Sequence, residues 1–136
     1  MKKDIKIYLV DDDEEDRFLM LQAFKHLGID EGILQFSNGK QLIKHLSSLE
    51  PDHFPQLIIL DYNMPVLNGY ETLSEIKIKN LSSSIKIVIY STSINDQQKA
   101  QFKKNGALDC FIKPTTFSRH LEIARTFFDI ALESHN

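Results

Sequence analysis

Leu57-Ile58-Ile59-Leu60 is a run of four apolar residues that stops abruptly at Asp61, with the turn-former Pro65 four residues later. A short apolar run bounded by turn signals reads as a strand buried on both faces, and such strands belong to parallel sheets covered by helices. In open parallel α/β sheets, ligands gather outside the carboxyl ends of the strands. Asp61 therefore stands where chemistry is expected. The other acidic and polar residues matter according to whether they can reach it.

Four more apolar runs share this form. Residues 5–10 end in Asp11-Asp12-Asp13, residues 33–36 in Ser37-Asn38-Gly39, residues 85–90 in Ser91-Thr92-Ser93, and residues 108–112 in Lys113-Pro114. Between them lie helical patterns. Phe18, Leu21, Phe24 and Leu27, with Met20 nearby, mark one face of a first helix. Its first turn is acidic, which suits a helix N-terminus, and Gly28 supplies the stop. Leu42, Ile43 and Leu46 give a second helix, and Leu73 and Ile76 a third within residues 70–79. A polar fourth helix occupies residues 96–104, and Leu121, Ala124, Phe127, Phe128, Ala131 and Leu132 line a terminal helix. Residues 47–56, with two prolines, read as a long loop. Five strands alternating with five helices imply a parallel sheet covered on both faces by right-handed crossovers. All the strand ends that carry polar residues then lie along one edge.

A chain of 136 residues is expected to form one domain, over residues 4–133, that buries its core without disulfides or a structural metal. The net charge of -3 gives no footprint for nucleic acid. The single cysteine, Cys110, excludes an internal disulfide, and its apolar run suggests a buried, inert thiol. No apolar run approaches a membrane span, and Met1-Lys2-Lys3-Asp4 lacks the apolar stretch of a signal peptide, so a cytoplasmic protein is expected. The five histidines (His26, His45, His53, His120 and His135) show no metal spacing and read as surface residues.

Three carboxylates on one edge repel one another, by about 4 kcal/mol for a pair 4 Å apart at an effective dielectric of 20. Mg²⁺ is the natural counterion, being hard and oxygen-liganded. Lys113 would add fixed positive charge from the opposite side. A carboxylate in such surroundings is a nucleophile toward a phosphoryl group, with the cations neutralising the transferring oxygens. Ser91 is placed to hydrogen-bond one of those oxygens. Taken singly each feature has a bland reading: Asp11 to Asp16 as a solvated helix cap, Asp61 as a turn residue. Three acids, a hydroxyl and a lysine at the ends of four strands are a different matter.

Asp11-Asp12, Asp61 within Leu60-Asp61-Tyr62-Asn63-Met64-Pro65, Gly69, Ser91 and Lys113-Pro114 together resemble the receiver domain of bacterial two-component response regulators. The resemblance spans essentially the whole chain. It implies a flavodoxin-like fold, a (βα)5 three-layer sandwich with sheet order 2-1-3-4-5. It also implies that Asp12, Asp61 and the Asn63 main-chain carbonyl bind Mg²⁺, with Asp11 acting mainly through water. Asp61 would accept a phosphoryl group from a sensor histidine kinase or phosphotransfer protein. The domain would catalyse only its own phosphorylation and dephosphorylation. Ser91 would move inward on phosphorylation and shift the face built from helix four, strand five and helix five, signalling to a downstream protein target. Many family members carry Tyr or Phe three residues before the lysine as a rotamer switch; here that residue is Cys110. Asn63 and Ser93 occupy positions that tune hydrolysis. The long loop at 47–56 and Ser91-Thr92-Ser93-Ile94-Asn95-Asp96 are similar to small stand-alone regulators partnered with phytochrome-type kinases.

Two alternatives compete with a phosphoacceptor. An aspartate-nucleophile phosphatase would use Asp11 and Asp13, but such enzymes usually carry Thr or Val where this chain has Glu15, and no cap segment is evident. A receiver-like scaffold that is never phosphorylated would not need Asp12, Asp61, Ser91 and Lys113 together. The exposed face of the last helix is the expected place for a homodimer contact.

Overall fold

The computed structural model describes residues 4–64, 66–81 and 84–133. Pro65, Met1 to Lys3 and His135, which figure in the sequence reading, lie outside the described residues. In chain order the elements are β1 (Ile7–Val10), α1 (Glu14–His26), β2 (Ile33–Phe36), α2 (Gly39–Ser47), β3 (Leu57–Asp61), α3 (Gly69–Ile78), β4 (Lys86–Ser91), α4 (Asp96–Lys104), β5 (Asp109–Ile112) and α5 (Phe117–Glu133). All strand pairs are parallel, in the order β2-β1-β3-β4-β5. This is the flavodoxin-like arrangement the resemblance implied.

Every residue of β1 and β3 is buried, because side chains alternate between two covered faces. Tyr8, Val10, Ile58, Leu60, Ile87 and Ile89 join Leu42, Leu46, Leu73, Ile76 and Phe102 from α2, α3 and α4. Ile7, Leu9, Leu57, Ile59, Val88 and Tyr90 join Met20, Ala23, Phe24, Ala124, Phe127 and Ala131 from α1 and α5. Helix starts are fixed locally. Asp13 caps α1, and Asn68 and Asn95 form capping boxes with Glu71 and Gln98.

Several expectations change. The buried stripe of α1 is Met20, Ala23 and Phe24, whereas Phe18 is 57% exposed. The long loop contains a 3-10 turn, Pro51–His53, and then a buried stretch from Phe54 to Gln56. Gln56 substitutes for a strand residue there, accepting from Lys6 N through Oε1 at 2.6 Å and bonding Lys86 N through its carbonyl at 3.1 Å. Two histidines are not surface residues. His120 is buried, with Nδ1 2.8 Å from the Thr116 carbonyl, and His45 is half-buried, with Nε2 3.1 Å from the Tyr8 hydroxyl. Cys110 is half-buried rather than enclosed, and burial pushes its thiol pKa up, as does the Asp109 carboxylate. Among the described residues no helix is long and apolar enough to cross a membrane.

Candidate functional site

The sheet register assembles the site. Val10 pairs with Leu60, so the next residues of each strand, Asp11 and Asp61, emerge side by side. Asp61 pairs with Tyr90, Ser91 follows, and Ser91 pairs with Ile112. Lys113 is the residue after Ile112, and its N–H donates to the Ser91 carbonyl at 2.8 Å. Neighbouring strands thus deliver two carboxylates, a hydroxyl and an ammonium to one end of the sheet.

One carboxylate oxygen from each of Asp11, Asp12 and Asp61 lies within 4.8 Å of the others. Asp11 and Asp61 are buried, and Asp12 is exposed. The Lys113 ammonium sits 2.7 Å from Asp11 Oδ2, 2.9 Å from Asp16 Oδ2 and 3.5 Å from Asp61 Oδ1. Burial pushes the Asp61 carboxyl up to about 7, and the Asp11 charge adds to the shift while Lys113 opposes it. Burial raises Asp11 too, against the hydrogen bond from Lys113. Burial pulls the Lys113 ammonium down, but hydrogen bonds to Asp11 and Asp16 outweigh it and hold the pKa above the ordinary lysine value.

The site is braced from below. Asp11 N–H donates to the Phe36 carbonyl at 3.1 Å, and Asp11 Oδ1 accepts from Asp13 N–H at 2.9 Å. The Arg17 guanidinium donates to the Asp11 carbonyl. Gly69 N–H donates to the Tyr62 carbonyl at 2.9 Å, closing the loop after β3. A Cβ at Gly69 would stand 2.7 Å from the Asp61 carbonyl oxygen and 2.8 Å from Tyr62 Cα, so only glycine fits. Ser91 is fully buried, and its Oγ has no hydrogen-bond partner among the described residues. An orphaned buried hydroxyl costs about 1–3 kcal/mol, so it is a group awaiting an acceptor or donor.

Of the residues singled out by sequence, Asp11, Asp12, Asp61, Ser91 and Lys113 all converge here. Asn63 lies on the loop just beyond Asp61 and is exposed. Cys110 is set apart, packed against the cluster that holds Phe102 and Ala107. Asp13 is committed elsewhere, accepting from Glu15 N–H at 2.9 Å and Asp16 N–H at 3.3 Å as the helix cap. Sequence reasoning missed Asp16 and Tyr90. Asp16 precedes Met20 and Ala23 by four and seven residues, so it is an acid on the buried stripe of α1, a signal the chain does carry. Tyr90 is buried with its ring 5.7 Å from the Lys113 ammonium.

Hard oxygen donors clustered at this spacing, two of them buried with raised pKa values, suit a small divalent cation. Mg²⁺ held by Asp11, Asp12 and Asp61 would offset the mutual repulsion of the three carboxylates.

The chain matches the response regulator receiver domain family over residues 7–125. It is 29% identical over 126 residues to the probable methanogenesis regulatory protein FilR2 of Methanothrix harundinacea, covering 91% of this chain and 79% of that protein. It is 44% identical over 71 residues to the nitrate/nitrite response regulator NarL of Escherichia coli, covering 52% of this chain and 30% of NarL. The crystal structure of the phosphorylated cyanobacterial phytochrome response regulator RcpA superimposes with a TM-score of 0.82 at 26% identity, covering 96% of this chain and 95% of that one. With the register, the strand-end residues and the family match in agreement, the chain belongs to the response regulator receiver domain family.

Proposed function

We propose that residues 4–133 act as one phosphoacceptor unit in a two-component phosphorelay, with Asp61 receiving a phosphoryl group from the phosphohistidine of a sensor kinase or phosphotransfer protein. The supporting observation is the convergence on Asp61: two further carboxylates within 4.8 Å, the Lys113 ammonium at 3.5 Å, and the buried Ser91 hydroxyl, one position past the Asp61 pairing partner Tyr90 and without a hydrogen-bond partner among the described residues. An Asp61 oxygen attacks phosphorus while the P–N bond of the donor breaks, and the imidazole nitrogen leaves with the electron pair and takes up a proton. Lys113 offsets charge on the transferring oxygens, and Ser91 Oγ donates to one of them once the acyl phosphate has formed. Water attack at phosphorus later returns the free carboxylate.

The output is altered protein contact. Ser91 moving toward the phosphoryl group draws the exposed Thr92 and Ser93 with it, and α4 follows directly in the chain. Only Phe102 of α4 is buried, so this helix is the least firmly held of the five. With Cys110 in place of an aromatic, coupling runs through this β4–α4 connection. The exposed side of α5 combines the Arg119–Glu122 and Arg125–Asp129 ion pairs with the apolar Phe117 and Leu132, and this reading does not call on self-association through it.

Intact mass after incubation with Mg²⁺ and acetyl phosphate tests the proposal. Wild type gains one phosphoryl group, whereas Asp61→Asn and chelated wild type gain none. No gain in wild type at any donor concentration would leave the chain a scaffold.

A further inference from the structure

Of its three N–H donors, Lys113 commits two to hydrogen bonds, with Asp11 Oδ2 at 2.7 Å and Asp16 Oδ2 at 2.9 Å, and its ammonium forms a longer ion pair with Asp61 Oδ1 at 3.5 Å. The three acids are not equivalent. Asp11 and Asp61 belong to the cluster suited to a cation, which would draw their charge away from the ammonium, and Asp16 does not. Asp16 is anchored on the rigid first turn of α1, where its own N–H is tied to the Asp13 cap, and its side chain is 32% exposed against 9% for Lys113. A phosphoryl group arriving at Asp61 needs the same ammonium.

We propose that Asp16 is a positioning residue that retains Lys113 on the α1 side of the site and competes with the phosphoryl group for it, limiting the rate at which Asp61 is phosphorylated. The inference rests on the phosphoacceptor reading above. A partly exposed, hydrogen-bonded ion pair is a modest restraint. Its removal frees one donor and withdraws one negative charge from the path of an anionic group.

The test is the initial rate of phosphorylation by phosphoramidate at saturating Mg²⁺, followed by intact mass, in four full-length proteins: wild type, Asp16→Asn, Lys113→Gln and the double variant. In each the Asp61 oxygen bonds to phosphorus as the P–N bond breaks and ammonia leaves after taking a proton. Asp16→Asn is expected to be faster than wild type by about 3- to 5-fold, while the substitution changes nothing in the Lys113→Gln background. Mg²⁺ affinity by calorimetry stays within about 2-fold of wild type, since a partly screened charge outside the carboxylate cluster contributes little. An unchanged or slower Asp16→Asn would overturn the assignment, as would an equal gain in both backgrounds, which would mean bulk charge relief rather than competition for Lys113. A wild type that takes no phosphoryl group at all would overturn the phosphoacceptor reading and this inference with it.

Discussion

Leu60 and Asp61 are adjacent on one strand and almost equally withdrawn from water, at 0% and 5% exposure. Leu60 is surrounded by hydrocarbon and contributes stability through burial. Asp61 is surrounded by charge, and its burial costs stability that Lys113 only partly offsets. The same contrast runs along the sheet: apolar middles that stabilise and a polar end held by their rigidity. A receiver needs both, since a carboxylate that is costly to ionise has most to gain from a bound cation.

The sharpest way to break this contrast is to substitute both neighbours. Leu60→Ala should destabilise the metal-free protein by about 2–5 kcal/mol in urea unfolding, through lost transfer energy and a residual cavity. Asp61→Asn at pH 8 should stabilise it, by about 2 kcal/mol. Two changes of the same sign would refute the contrast.

Titration then refines it. A carboxyl raised from 3.8 to about 7 keeps its proton longer in the folded state than in the unfolded one. Folded protein therefore binds more protons between these values, and stability falls as pH rises through that window, levelling off above about 7. Metal-free wild type should show this loss between pH 5 and 7, about 1–2 kcal/mol of it within that range. Asp61→Asn should show a flatter profile, and Mg²⁺ at pH 8 should restore stability to wild type more than to the variant. At the small end, Glu75 of α3 and Lys79, the C-cap of that helix, are exposed and 4.0 Å apart. Glu75→Ala should move stability by less than about 0.5 kcal/mol.

The strand ends were legible in the sequence because each apolar run is short and stops sharply, and a parallel sheet sends every such stop to one edge. Helix faces were less legible. Large residues dominate a periodicity reading, so Phe18 outweighed Ala23, yet Phe18 faces water while Ala23 is wholly buried between the helices and the sheet. A small residue is valued where backbones approach, and that is a tertiary fact. His120 escaped for a related reason: its ring is satisfied by the Thr116 carbonyl one turn earlier, a contact no apolar pattern announces. Asp16 was discounted as one more acid in a run of six, when its place on the α1 stripe distinguished it. Ser91 was identified by position alone; its unpartnered hydroxyl is visible only in three dimensions.

Gly69 bears on how the chain can change in length. Gly69 is seated on the backbone of Asp61 and Tyr62 and its N–H is bonded to the Tyr62 carbonyl, so the start of α3 is held at a set place against the end of β3. One residue added or removed between them would have to unseat a helix from the strand that carries Asp61. Before that strand, residues 50–53 are exposed, and an inserted residue there has solvent beside it. Insertions and deletions should therefore accumulate ahead of β3 and be purged behind it, which makes the earlier connection the place to graft a tag or a binding loop without disturbing Asp61.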